Sequence, residues 1–216
     1  TKTSTKKKAT RTKASAQSVS IDDVSTIADG TQVQLEGIVI AAVGLFGKRS
    51  FFVDGLEIYQ GSGMLANVNV GDRVLIAGEV SVLSDHRRIN IKEGGFTIVD
   101  HTNPIVHDYE STLPYGSLVR ITGTISARDG NAVLLKTDDQ TMKITPGNGV
   151  NIAWADLAGA TVTAIGILKH GDQETVVLRS ADDVVKATNA DEEIIASVAG
   201  TTSSASPRSA TRPPGN

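Results

Sequence analysis

From residue 31 to residue 99 apolar and polar residues alternate in short runs, each broken by glycine or by an Asp-Gly pair. TQVQLEGIVIAAV sets Val33 and Leu35 against Gln34 and Glu36, the period of a half-buried strand. Gly37 interrupts the alternation, which predicts a bulge where the strand bends. SFFVDGLEIYQ reads as two strands about Asp54-Gly55, because a two-residue hairpin turn needs positive φ at both positions. The register follows: Val53 opposite Leu56, Phe52 opposite Glu57, Phe51 opposite Ile58 and Ser50 opposite Tyr59. Alternation sends Phe51, Val53, Leu56 and Ile58 inward and turns Phe52 and Tyr59 out as diagonal neighbours. Met64 to Val70 bridges to a fourth strand in VGDRVLIAGEVSVL, bent at Gly78, and RRINIKEGGFTIV carries the fifth. Val68, Val70, Val74, Ile76, Val80 and Val82 are the expected core, and Ile89, Ile91, Phe96 and Ile98 carry the chain on towards a closed barrel. Ahead of the strands, SIDDVSTIADG predicts a short helix capped by Ser20, with Asp22 and Asp23 in its first turn and Gly30 at its end.

The pattern then repeats. YGSLVRITGTISA matches DGTQVQLEGIVIA in glycine placement and alternation, the signature of an internal copy. NAVLLKTDDQTMKI is its hairpin, with Val133, Leu135, Met142 and Ile144 inward and Leu134, Lys136 and Lys143 outward. VNIAWADLAG is a bridging helix whose Trp154 plugs the barrel end. ATVTAIGILKHG and ETVVLRSADDVVKA supply the fourth and fifth strands. The expected fold is therefore all-β: two tandem, five-stranded barrels of the OB type with disordered tails. The expected division is a basic linker over 1–19, a first barrel over 20–100, a linker over 101–115 carrying Pro104 and Pro114, and a degenerate second barrel over 116–188. A short helix over 189–200 and a Ser/Thr/Pro-rich tail over 201–216 complete it.

Composition supports strands over helices, since aromatics are 4% and Val, Ile, Thr and Gly abound. No apolar run reaches the roughly 18 residues of a membrane span, which reads as a soluble chain. With Thr1 in first place and no signal-peptide pattern, the sequence reads as a processed product or a piece of a longer chain. The absence of cysteine excludes disulfides and thiolate metal sites. A net charge of -3 conceals an asymmetry: residues 1–20 hold six cations and no acid, whereas residues 21–200 hold all 24 acids against 13 cations. That acidic balance counts against nucleic acid as a partner unless a local cluster offsets it.

Such a cluster is present. In an OB-type barrel, the outer face of strands two and three and the loops joining strands one to two and four to five form the ligand groove. Here the loops carry Lys48 and Arg49, then His86, Arg87 and Arg88 with Lys92 just beyond, while Phe52 and Tyr59 floor the face between them. Cationic rims and an aromatic floor suit a charged backbone with stackable bases. The second barrel offers only Arg128, Lys169 and His170 in its loops and no aromatic on the corresponding face. GLFGKRS is no P-loop: Ala42 and Arg49 occupy positions that motif reserves for glycine and for Ser or Thr, and a strand follows.

Taken together, the strand-glycine start, VDG-LEIYQ, V-GDRV-IAGEV and RRINI resemble bacterial OB-fold nucleic-acid-binding domains. The type is that appended to extracellular nucleases and lamin-tail-like surface proteins. The resemblance covers residues 31–99 well and 116–187 weakly. It implies a non-catalytic module that assists a neighbouring domain, outside the cell or at its surface, with a cytoplasmic setting as the alternative. The family's D-x-x-G-G-I turn is shortened here to Asp54-Gly55-Leu56.

No catalytic constellation emerges. His86, His101, His107 and His170 lack metal-ligand spacing, and there is neither H-E-x-x-H nor G-x-S-x-G. No enzyme, metal or cofactor is expected. The leading expectation is a binder of single-stranded DNA or RNA, accessory to a nuclease or DNA-handling domain. A structural or protein-interaction spacer on a cell surface is the alternative, and an enzyme with a cryptic site stands third.

Overall fold

The computed structural model describes residues 16–61, 67–83 and 86–187. The first barrel is built from β1 (Gln17–Ser18), β2 (Gln32–Ala41), β3 (Ser50–Val53), β4 (Leu56–Gln60), β5 (Asp72–Leu83), β6 (His86–Ile91) and β7 (Phe96–His101). The second uses β8 (His107–Asp108), β9 (Leu118–Asp129), β10 (Ala132–Lys136), β11 (Thr141–Pro146), β12 (Thr161–Lys169), β13 (Thr175–Leu178) and β14 (Val184–Lys186). In the first, β2-β3-β4-β6-β5 closes through β2–β5; in the second, β9-β10-β11-β13-β12 closes through β12–β9. Both are five-stranded OB-type barrels whose closed ladder contains one parallel contact, β4–β6 and β11–β13, beside the short parallel additions β1–β2 and β8–β9.

The Asp54-Gly55 turn forms at φ 43° and 90°, and all four predicted pairs across β3 and β4 are present. Phe51, Val53, Leu56 and Ile58 join the first core with Val33, Leu35, Val74, Ile76, Val80, Ile89 and Ile91. In the second barrel Val133, Leu135, Met142 and Ile144 point inward, and Trp154 is buried with its indole N–H donating to the Asn131 carbonyl at 2.9 Å.

Several expectations change. The irregularity in β2 falls between Val39 and Ala41, not at Gly37. Gly37 is small because Ile21, Val53 and Asp54 crowd it, to within 2.5–2.8 Å of any added Cβ. Both expected helices shrink to 3-10 turns, Asp22–Thr26 and Trp154–Leu157; the N-cap of the first is Ile21 and not Ser20, whose hydroxyl accepts from the Asp23 amide at 3.2 Å. Val70 and Val82 are exposed, not core. Gln17 and Ser18, within the expected linker, pair in parallel with Val33 and Gln34. The 101–115 linker is bound down: β8 pairs with β9, Tyr109 donates to Glu174, and His170 Nε2 meets the Leu113 carbonyl at 2.9 Å. The rest of the expected basic linker, the helix over 189–200 and the tail over 201–216 lie outside the described residues.

A third apolar cluster joins the barrels. Ile40, Ala41, Leu45 and Phe52 of the first meet Leu118 and Ile167 of the second. Gly55 at the hairpin tip and Gly116 touch backbone to backbone, so that a Cβ on Gly116, itself at φ +90°, would sit 2.0 Å from the Gly55 carbonyl oxygen. Arg179, held by Asp183 at 2.8 Å, donates across the joint to the Ile40 carbonyl. No helix among the described residues is long and apolar enough to cross a membrane.

Candidate functional site

Strand alternation sorts the residues that the sequence had grouped. His86, Arg87 and Arg88 are not loop residues: they open β6, so neighbouring side chains turn to opposite faces. Arg87 points away from the other two and donates to the Ile27 carbonyl. It lines a cleft of about 550 Å³ with Ile21, Asp22, Asp54 and Tyr115, where the first barrel meets the linker. His86 and Arg88 share the outer face with Glu57 and Tyr59, since β4 and β6 pair Glu57 with Arg88 and Tyr59 with Asn90.

That outer face divides in two. On the side toward the second barrel, Phe52 is fully buried, 4.6 Å from the Phe46 ring centroid and 6.0 Å from that of Tyr115. It does point out of its own barrel, as expected, but into the neighbouring barrel and not into solvent. No base reaches it, and the predicted Phe52–Tyr59 stacking floor is absent. His86 belongs to the same joint: its ring stacks on Tyr115 at 4.3 Å, and Nε2 lies 2.8 Å from Glu57 Oε2. Ser50 Oγ donates to the other Glu57 oxygen at 2.6 Å. The carboxylate that would repel a nucleic-acid backbone is thereby buried and hydrogen-bonded at both oxygens.

On the far side, a groove of about 930 Å³ crosses β4, β6, β5 and β2. Tyr59, Arg88, Asn90 and Lys92 line it, with Gly78 and Gly95 beneath and Gln32 and Glu79 on the opposite bank. Gly78 has no room for a side chain, since a Cβ there would meet Ile89 at 2.4 Å and the Asn90 carbonyl at 2.6 Å. The Arg88 guanidinium lies over the Tyr59 ring at 4.3 Å, a cation–π contact worth about 0.5–1 kcal/mol at exposed sites. Arg88 Nε and Asn90 Oδ1 are buried without a hydrogen-bond partner. Each such orphan costs about 1–3 kcal/mol, which is unusual on a face with so much adjacent polar surface.

The remaining cations are dispersed. Lys48 is exposed in the loop between β2 and β3, and Arg49 donates to the Gln60 carbonyl at 3.2 Å. Lys92 is exposed at the groove's rim. Thus Tyr59, Arg88 and Lys92 come together, while Phe52, His86 and Arg87 serve other contacts. Asn90 was missed. Its signal was its place two residues beyond Arg88 in RRINI, but the parallel register that sets it beside Tyr59 is a long-range pairing.

Among titrating groups, burial first raises the Asp54 carboxyl above its ordinary value, the Ile38 N–H works against this, and Asp22 adds to it. Asp72 is lowered, chiefly by the Asn69 amide and then by His101 against the effect of burial. Among the described residues no group of His, Asp or Glu side chains could hold a metal ion.

No family model matches the chain, and no curated protein matches it in sequence. Among solved structures it is similar to "Crystal structure of p204 HINb domain", at 7% identity and TM-score 0.35, over 70% of this chain and 95% of that one. It is likewise similar to "Structure of murine DNA binding protein bound with ds DNA", at 13% identity and TM-score 0.33, over 72% of this chain and 96% of that one. At TM-scores this low the likenesses carry no argument, and the site rests on its own geometry.

Proposed function

We propose that this chain is a non-catalytic module that binds single-stranded nucleic acid in the β4–β6 groove of its first barrel. The observation that carries the reading is the groove itself: a guanidinium-backed tyrosine and an exposed lysine lining one open depression. Aromatic and guanidinium planes stack bases without regard to sequence, and cations at the rim meet phosphates. The basic segment adds to this. Ala16 lines the groove, and the sequence before it, residues 1–15, carries six cations and no acid. Service to a nuclease or DNA-handling domain in a longer chain, outside the cell or at its surface, fits the family resemblance of residues 31–99.

A structural or protein-interaction spacer is the second reading, favoured by the use of Phe52 as a joint between barrels. One titration separates the two. Fluorescent oligo-dT is added to the intact chain, to the chain lacking residues 1–20 and to Tyr59→Ala. The proposal expects binding that weakens steeply with salt, and a loss of about 5- to 150-fold in Tyr59→Ala, from about 1–3 kcal/mol per stacked base. Should only removal of residues 1–20 abolish binding, the barrel is not the reader; no binding by the intact chain favours the spacer.

A further inference from the structure

The cleft of about 550 Å³ where the first barrel meets the linker shares no lining residue with the groove, and its charge is unbalanced. Asp22, from the first 3-10 turn, and Asp54, at the tip of the β3–β4 hairpin, both line it, and both are exposed, so a ligand in the cleft can reach them. Their charges act on one another: after burial, Asp22 raises the Asp54 carboxyl further above its ordinary value. Asp54 Oδ2 accepts from the Ile38 amide at 2.8 Å, which holds that carboxylate in place. Among the described residues neither acid has an ion-pair partner. Arg87, the guanidinium in the cleft, supplies none, because it donates to the Ile27 carbonyl. Much of the remaining wall is apolar, from Ile21, Val24, Leu56 and Tyr115. Val24 and Leu56 belong to the first core and Tyr115 packs into the barrel joint, so the packing behind this wall fixes its shape.

From this we infer that the cleft is a binding site for a small organic cation, a primary amine or guanidine carried on an apolar body. A positive charge beside Asp22 and Asp54 offsets their mutual repulsion, whereas a neutral ligand leaves it in place and an anion adds to it. The apolar body packs against Leu56 and Tyr115 and removes their surface from water. A bare divalent metal ion suits the place less well, since it takes six or more oxygen ligands. Two carboxylates, one of whose oxygens already accepts from Ile38, against an apolar wall do not provide that set. The volume falls within the roughly 300–1,000 Å³ of small-ligand sites. An apolar cleft holding a few charged groups, one of them with a displaced pKa, has the character of such sites. The site stands apart from the nucleic-acid groove, and either can function without the other.

The test titrates the intact chain, at fixed ionic strength, with benzylamine, its neutral counterpart benzyl alcohol, and ammonium chloride, followed by calorimetry and by amide NMR. Benzylamine should bind with a Kd on the order of 1 mM, the scale for a ligand of about eight non-hydrogen atoms. It should shift the amide signals of Asp22, Asp54, Gly55 and Tyr115. Benzyl alcohol, which lacks the charge, should bind about tenfold more weakly. Ammonium, which lacks the apolar body, should lose at least about as much. Asp22→Asn and Asp54→Asn should each weaken benzylamine about threefold to tenfold and leave benzyl alcohol unchanged. Asp138→Asn, at an exposed position of the second barrel, should alter neither. Equal affinity for benzylamine and benzyl alcohol overturns the cation site. So does a benzylamine affinity that survives both substitutions in the cleft, or a set of shifts confined to residues outside it. Failure of benzylamine to bind saturably overturns it as well. The neutral counterpart on the unaltered chain decides the matter even where a variant folds poorly.

Discussion

The two barrels share one ladder, so their outer faces can be compared position by position. The parallel contact pairs Glu57 with Arg88 and Tyr59 with Asn90 in the first; it pairs Lys143 with Thr175 and Thr145 with Val177 in the second. The hairpins set Phe52 opposite Glu57 and Leu134 opposite Lys143. Where the first barrel has Phe, Glu, Tyr, Arg and Asn, the second thus has Leu, Lys, Thr, Thr and Val. The second face is self-contained: Lys143 is spent on Asp129 at 2.6 Å, and Val177 is buried. The first face is unfinished. One half is completed by its neighbour through Phe52, and the other half leaves a donor and an acceptor unmet. Two copies of one topology therefore differ in what they need from outside. That need, more than the fold, is where function is to be sought.

The comparison can be broken most forcefully at Phe52. Phe52→Ala should cost about 3–5 kcal/mol in urea denaturation, the range for truncating a buried phenylalanine. Leu134→Ala, its partly exposed counterpart, should cost about 1 kcal/mol. Equal losses would mean that the joint contributes nothing beyond ordinary strand packing. Next in size is Gly116→Ala. Its Cβ would collide with the Gly55 carbonyl, and its backbone is left-handed, a conformation costing a non-glycine residue about 1–2 kcal/mol. Calorimetry should then resolve two transitions where the parent shows one, because the joint loosens while each core remains closed.

The smallest effect is expected at the hairpin tip. The Asp54 carboxyl is raised above its ordinary 3.8, first by burial. Its ionised form is therefore the less favoured one in the folded chain, and the penalty is present above the folded pKa. It is lost as pH falls below the unfolded value. Asp54→Asn keeps a residue that tolerates positive φ and suits the turn. It should raise Tm near pH 7 by about 1–2 °C, a scale that allows for solvent screening of an exposed carboxyl. Near pH 3 the gain should vanish. A gain that persists there would assign it to the turn alone and not to the charge.

Much of this architecture is a local matter. Alternation, the Asp-Gly turn and the spaced glycines specify which residues pair across β3 and β4 and which side chains face the core, because the turn fixes the register over four residues on either side. The repeat announces the second barrel in the same way. Local pattern also says that Phe52 and Tyr59 leave the barrel. What lies outside the barrel is another matter, since it depends on contacts across more than sixty residues: Phe52 meets Tyr115, and Gly55 meets Gly116. The basic run HRR looks like one cluster in sequence, and the strand splits it between opposite faces. Asn90 reaches the groove only through the β4–β6 pairing, a parallel contact between segments separated by a whole strand. The sequence by itself thus determined two barrels and the direction of each side chain relative to its own strand. Only tertiary packing decided which outward residues were covered and, among the described residues, which buried polar atoms were left without a partner.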